Sequence, residues 1–517
     1  MPPGTPTFDH VVVLMFENRS FDNMLGYLYR PGEVPSFEGV LNRPISNPIP
    51  PDLVNGGVTT VPVHPAKSMD TPDPDPGEEY PHINTQLFGV VSPPSNRLSR
   101  VDRMGPPYNA PADLSVPPSM DGFVIDYINA FQVEMDRTPT YDQYSQIMAC
   151  YTPDQIPVFS TLAREFAVFD HWFCEVPSQT YPNRSFFHAA SSSGLVLNAP
   201  PGSFATRNDA PTIFERLEHA GLRWKVYVDP EQILPATGLI HARRLKEYFA
   251  THFSTIFDFY EDARKGELPE YSFIEPNMLH PHTDMHPPGA ARLRETLHLP
   301  PPQSMAGGEQ LLAKVYDSVR TSSSASGSNF SNTLLVITFD EHGGIHDHVP
   351  PPPAPPPGDV TTGQQDFKFD RSGVRIPTIV ISAWVDGRTV VNREYRSTSV
   401  IRTMRERWSL GGPLTARDAM AADIAPLLSR PSPRSQAEWP QVQAKPLGLL
   451  TKVVERLEHP LSRLEKDLVA EALEHEAYVE HRTQVVDVER LNRREACEHL
   501  SRIQGKWFPG IANGRKG

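Results

Sequence analysis

Uninterrupted apolar runs of strand length do most to constrain this chain: Val11–Phe16, Trp224–Val228, Tyr271–Ile274, Leu334–Phe339 and Ile376–Ser382. A strand with one face in water alternates apolar and polar residues, whereas a strand covered on both faces can be apolar throughout. Helical patterns such as Ile213–Ala220 and Gly307–Arg320 lie between the runs. Strand and helix in alternation predict an α/β fold with a doubly wound, mostly parallel sheet. Such sheets bind ligands beyond the carboxyl ends of their strands.

Composition bounds the rest. A length of 517 residues suits one large α/β domain with an appendage, or two domains. The 56 prolines outnumber the 32 glycines and gather in residues 31–118 and 349–358. They predict stiff, irregular connections, the first a long insertion that walls or lids a site. After a main unit at 8–426, residues 427–448 read as a Pro/Ser-rich linker. Residues 449–508 are charged, with apolar positions such as Leu461, Leu464, Leu468, Leu491, Leu500 and Ile503, which predict amphipathic helices docked on the main unit. A net charge of −14 argues against a nucleic-acid partner. No apolar stretch approaches the ~18 residues of a membrane span, although peripheral membrane contact stays open. Three cysteines cannot build a disulfide framework.

The chemistry gathers where the strands end. The run within "HVVVLMFENRSFDNMLGYL" closes on Glu17, Asn18 and Arg19, and "NTLLVITFDEHGGIHDHVPPP" closes on Asp340 and Glu341. Acid and amide oxygens at two strand ends offer a hard cation its ligands. On spacing alone, metal binding and a structural ion-pair cluster both remain open. A third stretch, "FCEVPSQTYPNRSFFHAASSSG", sets Thr180 before Tyr181 and Pro182. Proline belongs in a helix's first turn, so Thr180 falls at a helix N-terminus, where N–H groups and the dipole favour a phosphate. Such a residue is ordinarily a cap; beside a cation it can also be a nucleophile. Three neighbours take bland readings: His10 as structural, Arg19 as a carboxylate partner, Cys174 as a small buried apolar group.

Taken in order, "ENRSFDNMLG", "VPSQTYPNR" and "FDEHGGIHDHVPPP" resemble the bacterial phosphoesterase family that contains phospholipases C and acid phosphatases of the alkaline-phosphatase-like superfamily. "MDGFV", "LAREFAVFDHWF", "TIFERLEHAGLRWKVY" and "GVRIPTIVISAW" support it, over roughly residues 8–410 and not the tail. The resemblance implies phosphoester hydrolysis with one divalent metal ion. It matches Glu17, Asn18, Asp340 and Glu341 to the metal ligands and Thr180 to a metal-bound nucleophile. Asn183 matches an amide near the phosphate, and His286 or His282 is the candidate proton donor. His82 resembles an upstream family histidine, and His348 a position that supports the acid pair; both are placed with Asn183 as substrate-side residues. The oxygen-rich set favours Ca²⁺ or Mg²⁺, with Mn²⁺, Fe and Zn²⁺ open.

The expected activity is a phospholipase C that releases diacylglycerol through a phosphothreonine intermediate. An acid-phosphatase-type phosphomonoesterase is the first alternative, and a non-catalytic binding protein on the same fold a less favoured second. Leu87, Phe88, Val90 and Val91 in the insertion predict an apolar rim suited to a phospholipid rather than a small phosphoester. The family implies a secreted or periplasmic address. The first residues, "MPPGTPTFDH", carry no readable signal, so a cytoplasmic address or another export route stays open.

Overall fold

The computed structural model describes residues 7–514 except 55–56, 114–115, 230–231, 233, 279–281, 289–303, 447–460 and 462. Its centre is one eight-stranded sheet. The strands are β1 (His10–Phe16), β2 (Ala167–Phe169), β3 (Trp224–Val228), β4 (Phe253–Thr255), β5 (Tyr271–Glu275), β6 (Thr333–Phe339), β7 (Thr378–Ile381) and β8 (Thr389–Val391). Their spatial order is β8–β2–β7–β6–β1–β5–β3–β4. β1 pairs in parallel with β5 and β6, while β7 runs against both β6 and β2.

All five apolar runs are strands. β1 and β6, at the middle of the sheet, are buried at every position, which is why neither alternates. β2, β4 and β8 carry no readable signal because three residues are too few for a period to show. Two rows of helices cover the sheet. Pro157–Glu165, Ile256–Lys265 and Ser304–Thr321 pack side by side, and Thr180–Ala189 packs with Ile213–His219 and Ser399–Trp408. This is the doubly wound arrangement the alternation predicts.

The proline-rich insertion is ordered. It holds a short hairpin, Ser46–Pro48 with Thr60–Pro62, and helix α1 (Tyr80–Phe88). α1 packs on α2 (Phe123–Met135), and Ile83, Leu87, Phe123, Val124 and Ile128 form a small core of their own. Leu87 is fully buried there and Phe88 leans on the same core, so neither forms the apolar rim expected of them. The helical period of α1 directs Leu87 inward with Ile83, four residues earlier.

The tail forms the helices Arg463–Val479 and Arg493–Trp507. Leu464, Leu468, Leu473, Leu500 and Ile503 join the main hydrophobic core. Phe508 lies 4.3 Å from the Phe249 ring, centroid to centroid. The end of the linker and the start of the tail, 447–460, lie outside the described residues.

Candidate active site

Two motifs more than 300 positions apart meet because β1 and β6 are parallel neighbours in register, with Phe16 opposite Phe339. Parallel pairing brings both carboxyl ends to one edge, so Glu17 and Asp340 leave the sheet side by side. The pairing continues into the loops: the Asn18 N–H donates to Asp340 Oδ1 at 3.2 Å, and the Arg19 N–H to the Glu341 carbonyl at 3.1 Å. Asn18 turns the chain with φ of 53°, a conformation asparagine tolerates better than most residues. Gly343 answers it with φ of 64°, and a Cβ there would sit 2.5 Å from the Asn18 carbonyl oxygen. The glycine pair after the acids therefore lets the two strand ends close together.

Thr180 is the first residue of its helix, after Gln179 as N-cap. Its hydroxyl donates to Glu17 Oε2 at 3.0 Å. The N-terminal anion site is thinner than the sequence suggests. The Tyr181 N–H goes to Asn198 Oδ1 at 3.0 Å, Pro182 has none, and the Asn183 N–H reaches back to the Gln179 carbonyl. The positive charge comes instead from Arg184, one turn on from Thr180 and on the same helix face. Arg184 pairs with Glu17 and places Nε 3.3 Å from Asp340 Oδ2. "PNR" displayed this arginine, but its bridging role becomes visible only when the helix is placed over the strand ends.

The site holds more acid than base. Glu17, Asp340, Glu341 and Glu78 are all buried, against Arg184. Burial drives the Glu17 carboxyl well above the usual range; Arg184 works against this and Asp340 adds to it. Burial and the neighbouring acids do the same to Glu341. The buried oxygens Asn18 Oδ1 and Glu341 Oε1 have no hydrogen-bond partner among the described residues. Orphaned oxygens beside mutually repelling carboxylates fit a divalent cation held by oxygen ligands.

Asp75, Glu78 and His286 widen the acidic group. Their ligand atoms lie within 4.8 Å of one another. Glu78 accepts a hydrogen bond from the Asn18 amide, and His286 Nε2 stands 3.0 Å from the same nitrogen. Burial pushes the Glu78 carboxyl up to about 8. Neither acid was singled out in the sequence, because "DPDPGEEYPH" has no periodicity that would aim them at a strand end.

The other residues singled out in the sequence divide. His286 joins the group, whereas His282 turns to Asp284 Oδ2 at 3.2 Å. Asn183 spends its amide on the loop before its helix: Oδ1 accepts from the Glu175 and Val176 N–H groups, and Nδ2 donates to the Val176, Ser178 and Gln179 carbonyls. The structure therefore shows it fixing the Thr180 loop. His348 contacts Asp22 at 2.7 Å and Glu38 at 3.3 Å, in a second cluster with Asp347 that Arg375 neutralises. None of these contacts is with Thr180 or its acids. His82 bonds Asp126 at 2.9 Å in the α1–α2 layer. Arg19 donates to the Met285 and Thr71 carbonyls rather than to a carboxylate. His10 Nδ1 rests on the Pro269 carbonyl, and Cys174 is buried, as expected.

The model of the Phosphoesterase family matches residues 8–411. Non-specific phospholipase C6 of Arabidopsis thaliana is 31% identical over 455 residues, which cover 84% of this chain and 75% of that protein. Non-specific phospholipase C3 of the same plant is 30% identical, covering 82% and 74%. Phospholipase C B of Mycobacterium tuberculosis is 26% identical, covering 86% and 83%. The similarity thus reaches plant proteins as well as bacterial ones. Among solved structures, the phosphonate monoester hydrolase of Silicibacter pomeroyi aligns with 53% of this chain and 72% of its own at a TM-score of 0.30 and 12% identity.

Proposed function

The chain belongs to the phosphoesterase family, and on that footing we propose that it is a metal-dependent phospholipase C with Thr180 as nucleophile. The observation that carries the reading is the Thr180 hydroxyl, 3.0 Å from Glu17 Oε2, among buried carboxylates bridged by Arg184. The named phospholipases C among its relatives support the lipid substrate.

Glu17, Asn18, Asp340, Glu341 and Thr180 would hold one divalent ion, with Ca²⁺ or Mg²⁺ the best match to oxygen ligands. When bound, such an ion offsets charge on the phosphoryl oxygens and lowers the pKa of a coordinated hydroxyl. Thr180 Oγ1 attacks phosphorus while its proton passes to Glu17 Oε2, which already accepts it. The bond from phosphorus to the glycerol oxygen breaks as the Thr180–phosphorus bond forms. His286, at the edge of the group, protonates the departing alkoxide. Arg184 Nη1 is buried and without a partner, a donor for charge developing on phosphorus. In the second half, water gives a proton to His286 and attacks phosphorus. The Thr180–phosphorus bond breaks and Glu17 returns the proton to Thr180.

The deciding assay uses purified, metal-replete protein on mixed micelles of choline and ethanolamine phospholipids, beside soluble phosphodiesters and phosphomonoesters. Release of diacylglycerol with a phospho-headgroup is the expected result. Ready hydrolysis of phosphomonoesters with no diacylglycerol released would replace this reading with the acid-phosphatase one.

A further inference from the structure

A second cavity lies behind the candidate active site, between α1, α2 and the loop around 91–109. It is an open-sided cleft with ≈ 240 Å³ of empty space, lined by His82, Asp126 and Asn129 on its polar side. Val91, Leu98, Met104 and Val133 line its apolar side. The lining follows from helix period: Asp126, Asn129 and Val133 fall on one face of α2, and His82 and Thr85 on one face of α1. Leu98 is 51% exposed and Val133 36%, so the apolar side opens to solvent.

Asn129 points to a ligand. It is only 6% exposed, and its Oδ1 has no hydrogen-bond partner among the described residues. A buried amide left in this state costs about 1–3 kcal/mol. The other amides of the cleft are already used: Asn96 donates to Ser92, Gly105 and Asn109, and Asn109 to Pro81 and Thr85. His82 donates through Nδ1 to Asp126, while its Nε2 is 3.9 Å from Glu79, beyond hydrogen-bond range. The cleft thus combines two under-used polar groups with an apolar exit.

The cleft and the candidate active site share a wall. Asp126 Oδ2 accepts from Gln86 Nε2 at 2.8 Å, Gln86 Oε1 lies 3.0 Å from His342 Nε2, and His342 Nδ1 lies 3.3 Å from Glu341. His82 also stands one turn beyond Glu78, whose carboxylate touches Asn18. A substrate whose phosphorus sits at Thr180 could extend one arm over this wall.

We propose that the α1–α2 cleft binds an acyl-ester arm of the diacylglycerol leaving group. The ester head lies against Asn129 and His82, and the first methylenes run out along Val91, Leu98, Met104 and Val133. The size fits a part rather than a whole ligand, since complete small-molecule pockets run to about 300–1,000 Å³. The rest of the chain passes over Leu98 towards the lipid phase. This assignment rests on the phospholipase C reading and adds to it the place where the lipid is recognised.

The test compares two soluble substrates with the same phosphocholine diester: monomeric dihexanoyl phosphatidylcholine, and nitrophenyl phosphorylcholine, which has no ester arms. Leu98→Asp and Asn129→Leu are measured beside wild type, with thermal unfolding to establish folding. The expected result is a rise in KM for the dihexanoyl lipid at least tenfold larger than that for the nitrophenyl ester. Leu98→Asp alters a half-exposed side chain, so it carries the test if Asn129→Leu does not fold. Equal effects on both substrates, while wild type still cleaves phospholipid, would overturn the cleft and leave the phospholipase C reading standing. An effect confined to long-chain micelles would also overturn it, in favour of a general surface contact. Wild type that cleaves the nitrophenyl ester but no phospholipid would remove the reading and the cleft together.

Discussion

Arg184 neutralises both Glu17 and Asp340, so its loss separates structure from chemistry at the level of one side chain. Arg184→Leu leaves buried carboxylates without their partner, which costs about 3–5 kcal/mol in comparable pairs. Chemical denaturation of the metal-free variant should show a loss of this size, and a divalent cation should restore part of it. Thr180 makes the sharper catalytic test. Thr180→Ala should stay folded and lose most activity, while Thr180→Ser should keep a measurable part because it retains the hydroxyl. A folded and active alanine variant would reduce Thr180 to a loop residue. The metal ligands add a third test: chelation should abolish turnover, and Glu17→Ala or Asp340→Asn should lower the metal retained in elemental analysis. Full activity in metal-free protein would remove the ion from the mechanism.

Among the elements, α1 and the helix Arg463–Val479 each turn a sequence pattern to a use the pattern does not announce. Leu87 reads as a rim residue but fills the core between α1 and α2, with no exposed surface. Leu87→Ala should therefore destabilise that layer by about 2–5 kcal/mol, and any loss of lipid turnover would follow from this. Glu471 lies on the buried face of Arg463–Val479 and accepts the N–H groups of Gly202 and Ala205 at 2.7 and 2.5 Å. Burial pushes its carboxyl from 4.5 up to about 7, partly offset by those two donors. Between these limits the folded chain holds a proton that the unfolded chain has released, so stability falls as pH rises through the window. The fall is roughly 3 kcal/mol in all. Glu471→Gln should flatten the pH dependence of unfolding between about pH 4.5 and 7; an unchanged slope would remove Glu471 as its source.

Across the whole molecule, the tail is part of the folded body. Its leucines enter the main core and Phe508 packs beside Phe249 and Phe253. Short helices are marginal in water without such a surface. Hydrogen exchange in the purified protein should show residues 463–508 protected together with the neighbouring helices of the main core. A fully unprotected tail would instead describe an arm that folds on a partner.

Residue order alone determined the sheet, the strand ends that carry acid, and the helix that begins at Thr180. These follow from local period and from residue types: a buried strand must be apolar throughout, and Pro182 admits only a first turn. Tertiary structure decided what the strand ends face. Arg184, Glu78 and Asp75 enter the site through contacts between distant segments, which local periodicity does not encode. The same holds for Asn183, His348 and Leu87, whose chemistry suits a site but whose neighbours occupy them elsewhere. A side chain's type limits what it can do, and only its partners select among those uses.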